Sequence, residues 1–264
     1  MIQAFKMAMK SISGNKFRAF LTMLGIIIGV MALVILVSLV SGATGTVTDT
    51  ISSLGSNLLS VTVSDDKGAP VTLDTLDEWM ADPQIGLAAP SATTTATGKY
   101  SSTTKTVTVY GATPAYAPIN GQTVLLGRFL TQADVENHTS VCIITEKTAE
   151  DMVGYTDCLG EEISLDGRKF TVVGILKNDD ESLTGILTKN SMIAYIPYTT
   201  LMRLSATVSS TITSFSVSAP EGGNMATTES AMKRLLLDRF EDDEDAFSLV
   251  SQNMLEDAMS SVTG

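Results

Sequence analysis

Residues 211–250 read TITSFSVSAPEGGNMATTESAMKRLLLDRFEDDEDAFSLV, and their pattern changes twice. Thr211–Ser218 alternates apolar and polar residues, the period of a half-buried strand. Ala226–Phe240 places Met232, Leu235, Leu236 and Phe240 on one helical face. Phe247–Val250 returns to strand character. The same order stands earlier in the chain. Leu58–Val63 (LLSVTV) reads as a strand. Thr72–Ala81 reads as a helix capped by Thr72, with Leu73, Leu76, Trp79 and Met80 on its apolar face and Pro83 beyond its end. Ile85–Ala96 and Thr104–Tyr110 read as strands, TKTVTVY alternating cleanly. Two separated strand–helix–strand units commonly pack as one layer of an α+β fold.

Residues 114–206, between the units, follow a different grammar. Ser140–Ile144 is a short strand, and Thr145 caps a brief helix that ends at Gly154. Glu162–Leu165 and Arg168–Leu176 flank Asp166-Gly167, which suits the positive φ angles of a type I′ hairpin turn. Met192–Pro197 is another strand and Thr199–Leu204 a short helix. The segment reads as an inserted, mostly β subdomain.

The N-terminal region differs in composition from all of this. Lys6, Lys10, Lys16 and Arg18 are its only charges, and every acidic residue lies from Asp49 onward. Ala19–Val40 (AFLTMLGIIIGVMALVILVSLV) carries no charge. As a helix its length would be about 33 Å, against a bilayer hydrocarbon core of roughly 30 Å. The expectation is a transmembrane helix over 17–43, extending to about 56 through Val47, Ile51 and Leu54. The four basic residues set topology and keep the N-terminus cytoplasmic. The rival reading, a cleaved signal peptide, has a shorter apolar region than this one. Ile2, Phe5, Met9 and Ile12 recur at helical spacing, so 1–16 reads as a cytoplasmic amphipathic helix on the membrane lipid. Gly25 and Gly29 form a GxxxG, either a membrane-helix packing face or the ordinary frequency of glycine in such helices.

Composition excludes several classes of function. The 264 residues carry 17 Lys+Arg against 29 Asp+Glu, a formal net charge of −12, which disfavours nucleic acid as a partner. Charged residues make up 17%, below the ~25% of soluble domains. No GxxxxGK[ST] and no GxSxG occurs. No catalytic, metal-binding or cofactor-binding constellation stands out. His138 is alone, and Glu241–Asp245 (EDDED) lacks the glycine and spacing of a calcium loop. Cys142 and Cys158 are the two cysteines. They either pair as a disulfide outside the membrane or, for Cys142 in its strand, pack as small core residues.

The residues carry a family resemblance in order along the chain. MKSISGNKFRAFLTMLGIIIGV (9–30) followed by LGSNLLSV (54–61) resembles the start of MacB-type, FtsX-like ABC transporter permeases. VYGATPAY (109–116), LLGRFLTQAD (125–134), FTVVGIL (170–176) and AYIPYTT (194–200) continue it over nearly the whole chain. The resemblance implies one N-terminal transmembrane helix and an extracytoplasmic α+β domain. In that domain a discontinuous porter-like βαβ pair (57–113 and 207–252) carries the inserted β-rich subdomain (114–206). Residues 253–264 would begin a helix toward a second membrane span, and the remaining spans of such a permease are not in this sequence. The implied partners are an ABC ATPase subunit, which would hydrolyse the ATP, a second permease copy forming a dimer, and a membrane-fusion or adaptor protein. The implied work is export or mechanotransmission. The alternative is a single-pass, membrane-anchored binding or sensor protein that reuses this domain.

Overall fold

The computed structural model describes Phe17, Phe20, Leu21 and residues 23–32, 58–178 and 191–251. The chain divides into two compact units, Met1–Asp49 and Thr50–Gly264. In the first unit the described residues are helical. Large apolar side chains, among them Phe20, Ile26, Ile28 and Val30, stand exposed there. Among the described residues no helix is long and apolar enough to cross a membrane. The expected membrane span, its extension to about 56, the helix over 1–16 and the segment 253–264 fall largely or wholly outside the described residues.

Among the described residues the second unit holds two sheets. The smaller is antiparallel, in the order β11-β1-β10-β2, from β1 (Leu58–Val63), β2 (Ala88–Pro90), β10 (Ser214–Ser218) and β11 (Phe247–Ser251). Val61 faces Phe215 on one side and Leu249 on the other. Because each neighbour is antiparallel, β1 runs parallel to β2 across β10, and β10 runs parallel to β11 across β1. This interleaving makes two split βαβ units of one sheet. The crossovers are helix α1 (Leu73–Trp79) and the fifteen-residue Met225–Arg239. Both cover the face that carries Leu59, Val61, Phe215 and Val217, all buried. The predicted stripes fit: Leu76, Trp79, Met232, Leu236 and Phe240 are buried in this core.

Local chemistry starts and stops these helices. Thr72 and Thr75 satisfy each other's backbone N–H groups in a capping box at the start of α1. The Asn224 side chain accepts from the Ala226 N–H at 2.9 Å. Beyond Phe240, Glu241 and Asp242 take positive φ angles and turn the chain back toward β11.

The larger sheet has the order β5-β8-β6-β9-β4-β3-β7, and β7 also pairs with β8. It therefore closes on itself through six strands: β3 (Ala92–Tyr100), β4 (Thr103–Ala112), β6 (Val141–Thr145), β7 (Glu162–Leu165), β8 (Arg168–Leu176) and β9 (Met192–Pro197). The seventh strand, β5 (Val124–Gly127), lies on β8 beyond β7. The interior is apolar, with Val107, Val109, Cys142, Ile163, Phe170 and Val172 buried. The β7–β8 turn is as its sequence requires, Asp166 at φ 48° and Gly167 at φ 83°.

A bulge resets the face of β8. Cys142 pairs with Val172 but Ile143 pairs with Gly174, so Val173 is the extra residue. Val172 and Ile175 then point to the interior while Leu176 joins the outer cluster with Ile143 and Tyr195. Glycine is required here for space. A Cβ on Gly174 would collide with the Arg128 carbonyl, whose own N–H donates to the Val173 carbonyl at 3.0 Å.

One expectation is corrected by the strand pairing. Ile85–Ala96 is not one strand: β2 ends at Pro90 in the small sheet and β3 starts at Ala92 in the closed one. Thr104–Tyr110 lies within β4 and pairs with β9, so it does not belong to the first βαβ half. The closed sheet thus begins at Ala92, not at 114. Ser91 marks the switch, its N–H donating to the Ser214 carbonyl at 2.9 Å. Periodicity misses it because residues on both sides are extended. Proline at position 90 is tolerated because β2 is an edge strand.

Candidate functional site

A groove of about 290 Å³ opens where the two sheets meet. One wall is α1, which presents Leu73, Leu76, Asp77 and Met80. The floor comes from β2 with Ala88 and Pro90. The opposite wall is Thr113–Pro118, the stretch after β4 that enters helix α2 (Tyr116–Ile119). Gln132 and Val135 of helix α3 (Gln132–Glu136) close the last side.

Each wall is fixed from behind. Leu76 and Trp79 anchor α1 in the core. Arg239 donates to the Ala69 and Pro70 carbonyls at 3.0 and 2.8 Å, just before α1. Ile119 packs with Leu58 and Ala89 beneath the small sheet. On α3, Asp134 is buried and accepts from Arg128 at 2.6 Å, from the Thr131 hydroxyl at 2.7 Å and from the Thr139 hydroxyl at 3.1 Å. Burial alone would raise the Asp134 pKa, but the Arg128 guanidinium and the threonine donors hold it well below the usual carboxylate range.

The electrostatics of the groove are one-sided. Among the described residues no Lys or Arg lines it, and the one charged residue is Asp77. Asp77 is exposed at the rim, and partial desolvation there, then the neighbouring carboxylates of Asp74 and Glu136, push its pKa upward. Among the described residues no hydrogen bond or ion pair satisfies Asp77. The Thr113 Oγ1 is buried and also lacks a hydrogen-bond partner there. Sequence reading did not single out these two. A signal existed for Asp77, which sits between Leu73, Leu76 and Met80 at helical spacing. Thr131-x-x-Asp134 likewise spells a capping box that announces α3.

The residues named from sequence lie elsewhere. Among the described residues, added Cβ atoms on Gly25 and Gly29 would meet nothing within 4 Å, so that helix face is open there. Lys6, Lys10, Lys16 and Arg18 are outside the described residues. Cys142 and Cys158 are both free and buried, and both belong to the interior cluster of the closed sheet. Burial pushes both thiols up, and the Cys158 charge adds to the effect on Cys142. The acidic turn is partly neutralised by Lys67, which bridges Asp243 at 2.7 Å and Asp65 at 3.3 Å. Among the described residues no group of three or more His, Cys, Asp or Glu is placed to hold a metal.

Comparison with known proteins agrees with this architecture. The chain is 26% identical over 270 residues to the macrolide export ATP-binding/permease protein MacB of Neisseria gonorrhoeae, covering 100% of this chain and 41% of that protein. It is 27% identical over 208 residues to MacB 2 of Aeromonas hydrophila, covering 76% of this chain and 32% of that one. The chain thus spans well under half the length of these curated relatives. Its fold matches the periplasmic region of MacB from Actinobacillus actinomycetemcomitans with a TM-score of 0.66 at 20% identity, over 81% of this chain and 97% of that one. It also matches the extracellular domain of the ABC-type transporter YknZ from Gram-positive bacteria, TM-score 0.58 at 20% identity, over 74% of this chain and 100% of that one. The family model of the MacB-like periplasmic core domain matches residues 19–235, and the chain belongs to that family.

Proposed function

We propose that the chain is the first membrane helix and the extracytoplasmic domain of a MacB-type ABC transporter permease subunit. Its work is mechanical: the external domain moves with the membrane helices and couples ATP-driven motion to export or mechanotransmission. ATP is hydrolysed by a separate ATPase subunit or domain. A second permease copy and a membrane-fusion or adaptor protein complete the assembly.

The observation that carries this reading is the fold. Split βαβ units interleaved in one sheet, with a closed sheet inserted between them, align over 97% of a MacB periplasmic region. Two further features support it. The first unit exposes a run of large apolar side chains, which water does not tolerate without a covering lipid or protein. The open face at Gly25 and Gly29 suits close approach of another helix, and in a bilayer small residues favour such packing.

The test has two parts. The native thiols are buried, so Ser101→Cys at the exposed β3–β4 hairpin tip supplies an accessible one. An impermeant maleimide should label it in intact cells; labelling only after lysis overturns the extracytoplasmic placement. Purified from native membranes, the chain should bring an ABC ATPase with it, and Gly25→Leu with Gly29→Leu should reduce that recovery while insertion persists. Successful surface labelling without any ATPase overturns the permease reading in favour of a single-pass binding or sensor protein.

A further inference from the structure

We infer that Asn120 is a self-modifying site: its side-chain amide closes on the Gly121 nitrogen to a succinimide, which opens to aspartate or isoaspartate at the end of α2. The inference does not rest on the permease reading, because the reaction uses only this chain and water.

Two helix ends in the chain share one geometry and differ in the residue that follows. Asn120 caps the C-terminus of α2 and Asn137 that of α3, at φ −96° and ψ 12° against φ −87° and ψ 3°. Each side chain turns back on its own helix. Asn120 Nδ2 donates to the Tyr116 carbonyl at 2.9 Å, and Asn137 Nδ2 to the Ala133 carbonyl at 2.8 Å. Each is followed by a residue at positive φ, Gly121 at 62° and His138 at 51°. Cyclisation brings the next backbone nitrogen onto the asparagine Cγ, and a side chain beside that nitrogen hinders the approach. Gly121 carries none, is exposed, and has open space around its Cα among the described residues. His138 is half-buried and carries a ring. Asn137 is the more exposed of the two asparagines, so exposure alone would favour it. Asn120-Gly121 is the one Asn-Gly pair in the sequence.

The step balances with water as its only co-reactant. Hydroxide removes the Gly121 N–H proton, and the nitrogen attacks Asn120 Cγ. The N–Cγ bond forms, the Cγ–Nδ2 bond breaks, and Nδ2 leaves as ammonia. Water then opens the ring at either carbonyl, giving aspartate or the isoaspartyl form whose main chain runs through the former side chain. In the folded turn the Gly121 N–H points to the Pro118 carbonyl at 3.4 Å, so the turn opens before the nitrogen attacks. Such opening costs little at the end of a helix of four residues. The product acts where it forms. A carboxylate has no N–H for the Tyr116 carbonyl, and its charge stands at a helix C-terminus, which disfavours anions. Ile119, one residue earlier, packs on Leu58 and Ala89, so the loosened turn is the one seated on β1 and β2.

The experiment uses the full chain in a non-ionic detergent. It is incubated folded at pH 8 in water enriched in heavy oxygen, then digested at pH 6 in ordinary water and read by peptide mass spectrometry. The Asn120 peptide should exchange its amide nitrogen for heavy oxygen and separate into aspartyl and isoaspartyl forms, while the Asn137 peptide stays unchanged. Incubation at pH 6 should slow the conversion, because less hydroxide is present. His138→Gly, which suits the positive φ there, should make Asn137 reactive, with unchanged circular dichroism showing that the fold persists. An Asn120 peptide that stays intact in the folded chain and converts only in urea overturns the inference, since the cap then protects it. Equal conversion at Asn120 and Asn137 in the parent, or a folded His138→Gly variant whose Asn137 stays intact, also overturns it, because the following glycine then does not select the site.

Discussion

In the small sheet, β1 is paired with strands from the far end of the unit: Leu58 faces Ser218 and Leu59 faces Ser251. In the closed sheet, β3 and β4 are joined by Ser101-Ser102, and β7 and β8 by Asp166-Gly167. The small sheet is open, with β11 and β2 at its edges among the described residues, and relies on two helices over one face. The closed sheet packs its interior with side chains of its own strands, joined by Ala149, Met152 and Leu201 from short helical segments. The contrast is one of contact range. The hairpins close short loops at little entropic cost, whereas the small sheet forms only after its two halves have met across the inserted sheet.

The largest expected effect tests whether the two sheets share one stability. Phe215 is fully buried at the centre of the small sheet, 5.7 Å from the Trp79 ring. Phe215→Ala should cost about 3–5 kcal/mol. Hydrogen exchange on the full chain should show β1, β10 and β11 losing protection while β4, β8 and β9 keep theirs. Equal loss in both sheets would merge them into one cooperative unit and end the comparison.

The next effect lies at the joint between the sheets. Asp134 is buried and Arg128 is its half-exposed 2.6 Å partner, so Asp134→Asn should cost about 2–3 kcal/mol at pH 7, the range for hydrogen bonds to a charged group. The sign with pH follows from a folded pKa held below the unfolded one. The contribution is complete above the unfolded carboxylate value of ~3.9 and is lost as pH falls below it toward the folded value. Denaturant unfolding at pH 7 and pH 3 should therefore show the gap between parent and variant shrinking in acid. A gap that is constant with pH would mean that the carboxylate charge contributes nothing.

The smallest effect concerns a hairpin of the closed sheet. A Cβ on Gly167 would meet nothing within 4 Å, so only its φ of 83° opposes substitution. Gly167→Val should cost about 1–2 kcal/mol, because a β-branched residue is strained at positive φ. Gly167→Asn should recover most of the loss, since Asn tolerates that region. If both variants melt with the parent, the turn does not hold the register of β7 and β8.

These residues also mark how far the sequence is legible. Leu58–Val63, Glu162–Leu165, Arg168–Leu176 and Met192–Pro197 are strands at the bounds that alternation and turn chemistry predict. Thr145 caps its helix, which continues as a π turn and stops at Gly154 with φ 99°. Such features are written in neighbouring residues, where propensity and capping act. The sheet switch at Ser91 and the bulge at Val173 are not, because an extended backbone serves either side of each. The groove was hidden for a related reason. Asp77 is an exposed carboxylate at a helix edge, and only the tertiary structure brings Pro118 and Val135 to the same groove.

The sequence by itself determined the local units: the amphipathic faces of α1 and Met225–Arg239, the type I′ turn at Asp166-Gly167, and the uncharged run Ala19–Val40 behind a basic flank. Each is set by interactions that span a few residues. Only the tertiary structure decided which strands are neighbours, where one sheet gives way to the other, and that Thr113 and Asp77 face a common space. Strand pairing joins backbone groups that every residue but proline possesses, so alternation marks a strand without naming its partner. The partner is chosen by the buried area that the whole arrangement gains.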